Sequence, residues 1–250
     1  MKTNYVLAGS ASCFDLFNLE KQFEGLHEAP VDVIHFDIVD GWFNRCIILG
    51  LPTLQQMRPH TQLPIEVHMA VYQPERYIRQ FIEAGGDIIS FHPEGMKGVQ
   101  EGKYDFAHAF GEVRETFDLI RSLGARPALA FRSETMLDEA LVGTLTAGEQ
   151  KDLLDALEES EYIIKLTVDP GFSGQKIQPA AFEKMKALRD LMDAHGIETR
   201  IAADGNVNAA TIPTLVKHGA GMLVGGTSGL FLPGKSVREC AQRMLDAMKE

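Results

Sequence analysis

Residues 199–229 read TRIAADGNVNAATIPTLVKHGAGMLVGGTSG. The stretch 199–203 is a short apolar run that stops at Asp204, and 221–224 is a second run that stops at two glycines. Between them NAATIPTLVKHGA carries apolar residues at helical spacing and runs into Gly219, a helix-stopping residue. Strand, helix and strand in that order predict a parallel pair joined by a crossover helix.

Outward from this unit the same alternation continues. Apolar, β-branched runs fall at 5–8, 31–38, 65–71, 87–91, 127–131 and 162–168, before the two already named. Helical patterns such as QPERYIRQFIEAG, EVRETFDLIRSLG and PAAFEKMKALRDLMDAHG lie between them. Strict alternation predicts a parallel sheet, and eight repeats predict closure into a (β/α)8 TIM barrel. The 250 residues match the size of one such barrel, so a single domain over 1–250 is expected, with insertions near 95–110 and 142–160. No linker and no glycine-rich dinucleotide fingerprint after the first run favours a two-domain or open-sheet alternative.

Composition narrows the partners. A formal net charge of −11 argues against nucleic acid or an anionic membrane surface. It leaves room for a small anionic substrate, because backbone N–H groups at helix starts hold phosphate without cations. Cys13, Cys46 and Cys240 are scattered and odd in number, which fits a reducing cytosol better than a disulfide framework. The opening MKTNYVLAGSASC faintly imitates a lipoprotein signal, but Asp15 follows at once, and the segment reads as the first strand. No segment approaches the ~18 apolar residues of a membrane span.

Polar residues fall at the C-terminal ends of the runs: Ser10, His35, Asp37, His68, His92, Arg132, Asp204 and the glycines 225–226. In a TIM barrel that face carries the active site. Strand periodicity points His35 and Asp37 the same way, and His68 and Asp204 end runs of their own. A lone inward His is as often structural, and a lone strand-end Asp often only caps a helix. Two His and two Asp converging from three strands instead suit one divalent ion, zinc, iron(II), manganese, cobalt or magnesium. Carboxylates also move protons, so the same set ligates and catalyses.

These residues lie in segments that together resemble the ribulose-phosphate 3-epimerase family, with a lean towards its allulose 6-phosphate branch. The resemblance rests on GSASCFDLFNLEKQ, IHFDIVDGWF, IEVHMAV, ISFHPEG, LTVDPGFSGQK, ADGNVNAAT and LVGGTSGLF, nearly end to end. It implies epimerisation of a ketose phosphate, such as allulose 6-phosphate or ribulose 5-phosphate, through an enediolate. Asp37 and Asp204 would be the two proton carriers, and His35, Asp37, His68 and Asp204 the metal ligands. Ser10, His68 and Asp204 would meet the reacting end of the sugar. Gly171, Phe172, Ser173, Gly174, Gly205, Asn206, Val207, Gly226 and Thr227 would hold the phosphate. A homo-oligomer is expected from the resemblance alone.

The chain also departs from that pattern. Val39, Ala70 and Leu166 stand where the family commonly has three Met side chains, and Met69 beside them should face away from the pocket. Arg132-Ser133 replaces an Asn-Pro, Glu66 an Asp, and Asn206 a Gly. Arg132 is expected either to contact a second polar group of a larger substrate or to pair with Glu134 at the rim. Cys13 reads as small packing, while Tyr104 and His108 sit in the first insertion, within range of the pocket. Related barrels that cleave or condense sugar phosphates carry Asp-x-Lys-x-x-Asp here, but HFDIVD has no Lys. A non-catalytic sugar-phosphate-binding barrel is favoured only by the missing Met residues.

Overall fold

The computed structural model describes residues 5–169 and 174–249. Its strands are β1 (Val6–Ser10), β2 (Val33–Asp40), β3 (Ile47–Ile48), β4 (Ile65–Ala70), β5 (Ile88–Phe91), β6 (Arg126–Phe131), β7 (Ile163–Leu166), β8 (Ile201–Asp204) and β9 (Ala220–Gly225). All except β3 run parallel in the order β1-β9-β8-β7-β6-β5-β4-β2, and pairing of β1 with β2 closes the ring. This is the expected eight-stranded barrel with helices around it. The short β3 was not expected, since two residues carry no periodicity. It lies antiparallel on the end of β2, with Val39 opposite Ile48, and extends β2 to Asp40.

Alternation along each strand sorts side chains into two layers. Val33, Ile88, Ala128, Ala130, Ile164, Leu166, Ala202, Met222 and Val224 pack together inside the barrel. Ile34, Phe36, Met69, Phe91, Leu129, Phe131 and Leu223 belong to the larger layer between strands and helices. Met69 is fully buried there, facing away from the barrel axis as expected. The helix Pro179–Ala194 shows how helical spacing meets that layer: Ala181, Met185, Leu188 and Met192 are buried on one face. Capping boxes at Thr146 and Ser236 start the helices Ala147–Glu159 and Val237–Ala247.

The segments expected to be insertions meet each other through a side-chain contact. The segment 95–110 forms short helical turns, 147–159 forms a full helix, and His108 Nδ1 lies 2.8 Å from Glu149 Oε1. Tyr104 donates its hydroxyl to Glu112. Neither Tyr104 nor His108 lines the cavity described below. Among the described residues, no helix is long and apolar enough to cross a membrane.

Candidate active site

Strand register assembles the site. Parallel pairing sets His35 beside Glu66 and Asp37 beside His68 across β2 and β4, and Ser10 beside His35 across β1 and β2. Pairing of β7 with β8 sets Leu166 beside Asp204. All these side chains point inward at the C-terminal end of the barrel. One ligand atom each from His35, Asp37, His68 and Asp204 falls within 4.8 Å of the others. Asp37 Oδ1 lies 2.8 Å from His35 Nε2 and 3.1 Å from His68 Nδ1, and Asp204 Oδ2 is 3.7 Å from His35 Nε2. Two imidazole nitrogens and two carboxylates at this spacing fit a divalent ion of the zinc, iron, manganese or cobalt type.

Asp37, His68 and Asp204 of the cluster, with His35 buried behind them, line a cavity of about 320 Å³. Ser10, Val39, Ala70, Leu166, Gly174, Gly205, Asn206, Val207, Gly226 and Thr227 line it, with no Lys or Arg among the described lining residues. Gly171, Phe172 and Ser173 lie outside the described residues. Asn206 adopts the left-handed region (φ +48°), which Asn tolerates better than most non-glycine residues, so it fits this turn without a Gly. Ser12, Cys13, Ile48, Val168, Asp169, Gln175, Val224 and Ser228 complete the wall. Apart from Cys13, these were not singled out as site residues from the sequence, although Ser12, Asp169, Gln175 and Ser228 lie in segments that carry the resemblance. Ser10 and Ser12 donate to Asp37 Oδ2 at 3.1 and 2.8 Å.

Arg132 is placed elsewhere. It does not line the cavity; its guanidinium lies 3.9 Å from the Phe43 ring centroid, donates to Phe43 O at 2.5 Å, and stands 3.7 Å from Glu134. The expected rim contact with Glu134 is present, and the Phe43 contact holds the cation away from the cavity. Asp40, at the end of β2, accepts from the backbone of Trp42, Phe43 and Tyr72 and shapes the loop that carries Phe43.

Electrostatics separate the two carboxylates. Burial alone would raise Asp37, but the His35 and His68 rings overcome it and hold its pKa well below the usual carboxylate range. Burial raises Asp204, and repulsion from Asp37 adds to it against the pull of His35. Burial disfavours charge on His35, yet Asp37 and Glu66 raise its pKa well above the ordinary value. Glu66 is wholly buried inside the barrel, where it receives His35 Nδ1 and the Ser90 hydroxyl. Burial lowers His92 to about 4, while Glu94, despite its own burial, is held below its ordinary value by His92 and Thr135.

Residues 6–231 match the model of the ribulose-phosphate 3 epimerase family. The chain belongs to that family. It is 30% identical to the ribulose-phosphate 3-epimerase of Methanocaldococcus jannaschii over 239 residues, covering 93% of this chain and 89% of the relative. The enzyme of the same name from Escherichia coli is 28% identical over 226 residues, 90% of this chain and 88% of the relative. Among solved structures, 3-hexulose-6-phosphate synthase from Salmonella typhimurium superposes with a TM-score of 0.58 at 12% identity over 98% of both chains. At that identity the likeness speaks for the barrel only.

Proposed function

We propose that this member of the epimerase family is an isomerase that inverts carbon 3 of a phosphorylated ketose, with Asp37 and Asp204 as its two proton carriers. The observation that carries the reading is the meeting of these carboxylates, biased in opposite directions, in one cavity. A hydrogen beside a ketone is a weak acid, so its removal needs a positioned base and stabilisation of the enediolate that forms. Asp37, held ionised by the histidines and oriented by Ser10 and Ser12, takes the proton from one face. Asp204, biased towards its protonated form, returns one from the other face. Near-equivalence of the two carboxylates allows the reverse assignment for the opposite epimer.

His35, Asp37, His68 and Asp204 would hold a divalent ion. When bound, that ion supplies Lewis-acid stabilisation of negative charge on the substrate oxygens. Gly174, Gly205, Asn206, Val207, Gly226 and Thr227 line the cavity and would take the phosphate through backbone groups in the loops after β7, β8 and β9; Gly171, Phe172 and Ser173 belong to the same proposal by sequence alone. Val39, Ala70 and Leu166 keep the wall apolar without thioethers, and the substrate class in this reading covers hexulose 6-phosphates and pentulose 5-phosphates. A cytosolic homo-oligomer belongs to the same proposal.

The test is proton NMR in heavy water with metal-loaded protein and a panel containing allulose 6-phosphate and ribulose 5-phosphate. Metal-dependent deuterium entry at carbon 3 of one sugar is expected. No entry with any of the panel would overturn the reading.

A further inference from the structure

Next to the cluster, a second set of polar groups lies just beyond the end of β5. His68 turns Nδ1 towards the site, 3.1 Å from Asp37 Oδ1, and its Nε2 lies 2.9 Å from His92 Nε2. His92 Nδ1 in turn stands 3.5 Å from Glu94 Oε2, and both atoms are buried with no other hydrogen-bond partner. The far oxygen of that carboxylate, Glu94 Oε1, accepts from Arg132 N at 3.1 Å and from Thr135 Oγ1 at 2.5 Å. Lys165, buried outside the barrel wall, donates to the carbonyls of Arg132 and Thr135 and so braces the turn that grips Glu94.

We infer that Glu94 and His92 are positioning residues that fix the proton of His68 on Nε2 and leave Nδ1 bare to ligate a metal. The inference rests on the metal-site reading above. Its logic is donor and acceptor counting. A neutral imidazole has one N–H and one lone pair. A ligating Nδ1 puts the proton of His68 on Nε2, so His92 Nε2 must accept. His92 then carries its own proton on Nδ1, and the carboxylate of Glu94, which accepts without donating, ends the chain. His35 reaches the same state in one step, giving Nδ1–H to Glu66. Carboxylate partners of this kind orient ligating histidines and raise their basicity.

Glu94→Gln is the discriminating substitution because it conserves shape. The backbone N–H of Arg132 can only donate, so the amide oxygen must face it, and the NH2 then faces His92 Nδ1. That reverses the chain: His92 moves its proton to Nε2, where it opposes the N–H of His68. Zinc affinity, measured by competition with a chelator, should fall roughly 10–100-fold. Glu94→Asp, which keeps an acceptor there, should retain more of the affinity. In the zinc-loaded wild-type protein, long-range proton–nitrogen correlation on nitrogen-15-labelled histidine should show His92 protonated at Nδ1 and bare at Nε2. This measurement needs no variant to fold. A proton on His92 Nε2 would overturn the inference, as would Glu94→Gln binding zinc as tightly as wild type. Zinc bound by neither protein would overturn the metal reading and this inference together.

Discussion

Gly205 follows the proposed proton carrier Asp204, and replacing it with Ala tests how tightly the end of β8 is held. Its φ of +113° lies outside the left-handed well that other residues visit, a conformation costing about 1–3 kcal/mol for an L side chain. An added Cβ would stand 2.6 Å from Val168 Cγ2 and 2.8 Å from Thr167 Oγ1. Carbon atoms pack best at roughly 3.5–4.0 Å, so about 1 Å of displacement is needed, and overpacking of this kind costs about 1–3 kcal/mol. Thr167 cannot simply turn away, because its hydroxyl donates to Asp204 O at 3.0 Å and Gly205 O at 2.6 Å. The sum is about 2–6 kcal/mol, a fall in Tm on the order of 10 °C for a chain this long. The displacement falls on Asp204, and a misplacement of about 1 Å in a reacting group lowers kcat/KM by roughly 100-fold. Gly196→Ala is the control: φ is +69°, nothing lies within 4 Å of the added Cβ, and the site is remote. It should lose only about 1–2 kcal/mol and no activity. Thermal denaturation and kcat/KM of both variants check this. A Gly205→Ala protein as stable as Gly196→Ala and as active as wild type would refute the reasoning.

Asp37→Asn and Asp204→Asn each remove one proposed proton carrier and one proposed ligand, and either should cut deuterium entry at carbon 3 by at least roughly 100-fold; full exchange in either variant would sink the two-carrier mechanism. Prolonged chelation should abolish exchange and lower Tm, and adding back Zn2+, Mn2+ or Co2+ should restore both, because a ligand of the folded state alone stabilises it; exchange that survives chelation contradicts the metal reading. Burial brings Lys165 from the ordinary 10.5 down to about 8. Between these values the unfolded chain binds the extra proton, so stability rises with pH across that window, by up to roughly 3 kcal/mol at about 1.36 kcal/mol per pH unit. Urea unfolding of Lys165→Met should lack that part of the rise, and identical slopes for the two proteins would show that Lys165 keeps its ordinary pKa in the fold.

Much of the site was legible because two periodicities suffice for it. Alternation by two placed His35 and Asp37 on one face, and counting eight strand–helix repeats placed His68 and Asp204 at the same end of a closed ring. The expected and observed strands differ mainly at their ends: β2 runs on to Asp40 because β3 pairs with it, and β1 reaches Ser10. Glu66 was noted in the sequence only as an exchanged carboxylate; its role emerges from the register that puts it opposite His35. His92 was visible as a strand-end polar residue but had no partner, and Glu94 was passed over although it lies two residues on.

The sequence by itself determined the barrel and the four residues that cluster at its C-terminal end, since strand alternation and the count of strand–helix repeats suffice for both. Only the tertiary structure decided what stands around them. Arg132 meets the backbone of Phe43 across 89 residues, Lys165 braces a turn 30 residues away, and the His68–His92–Glu94 chain joins two strands and a loop. Such contacts depend on strand register and on the paths of loops, which local spacing does not encode, and they are made by buried polar groups whose partners become known only when the ring closes.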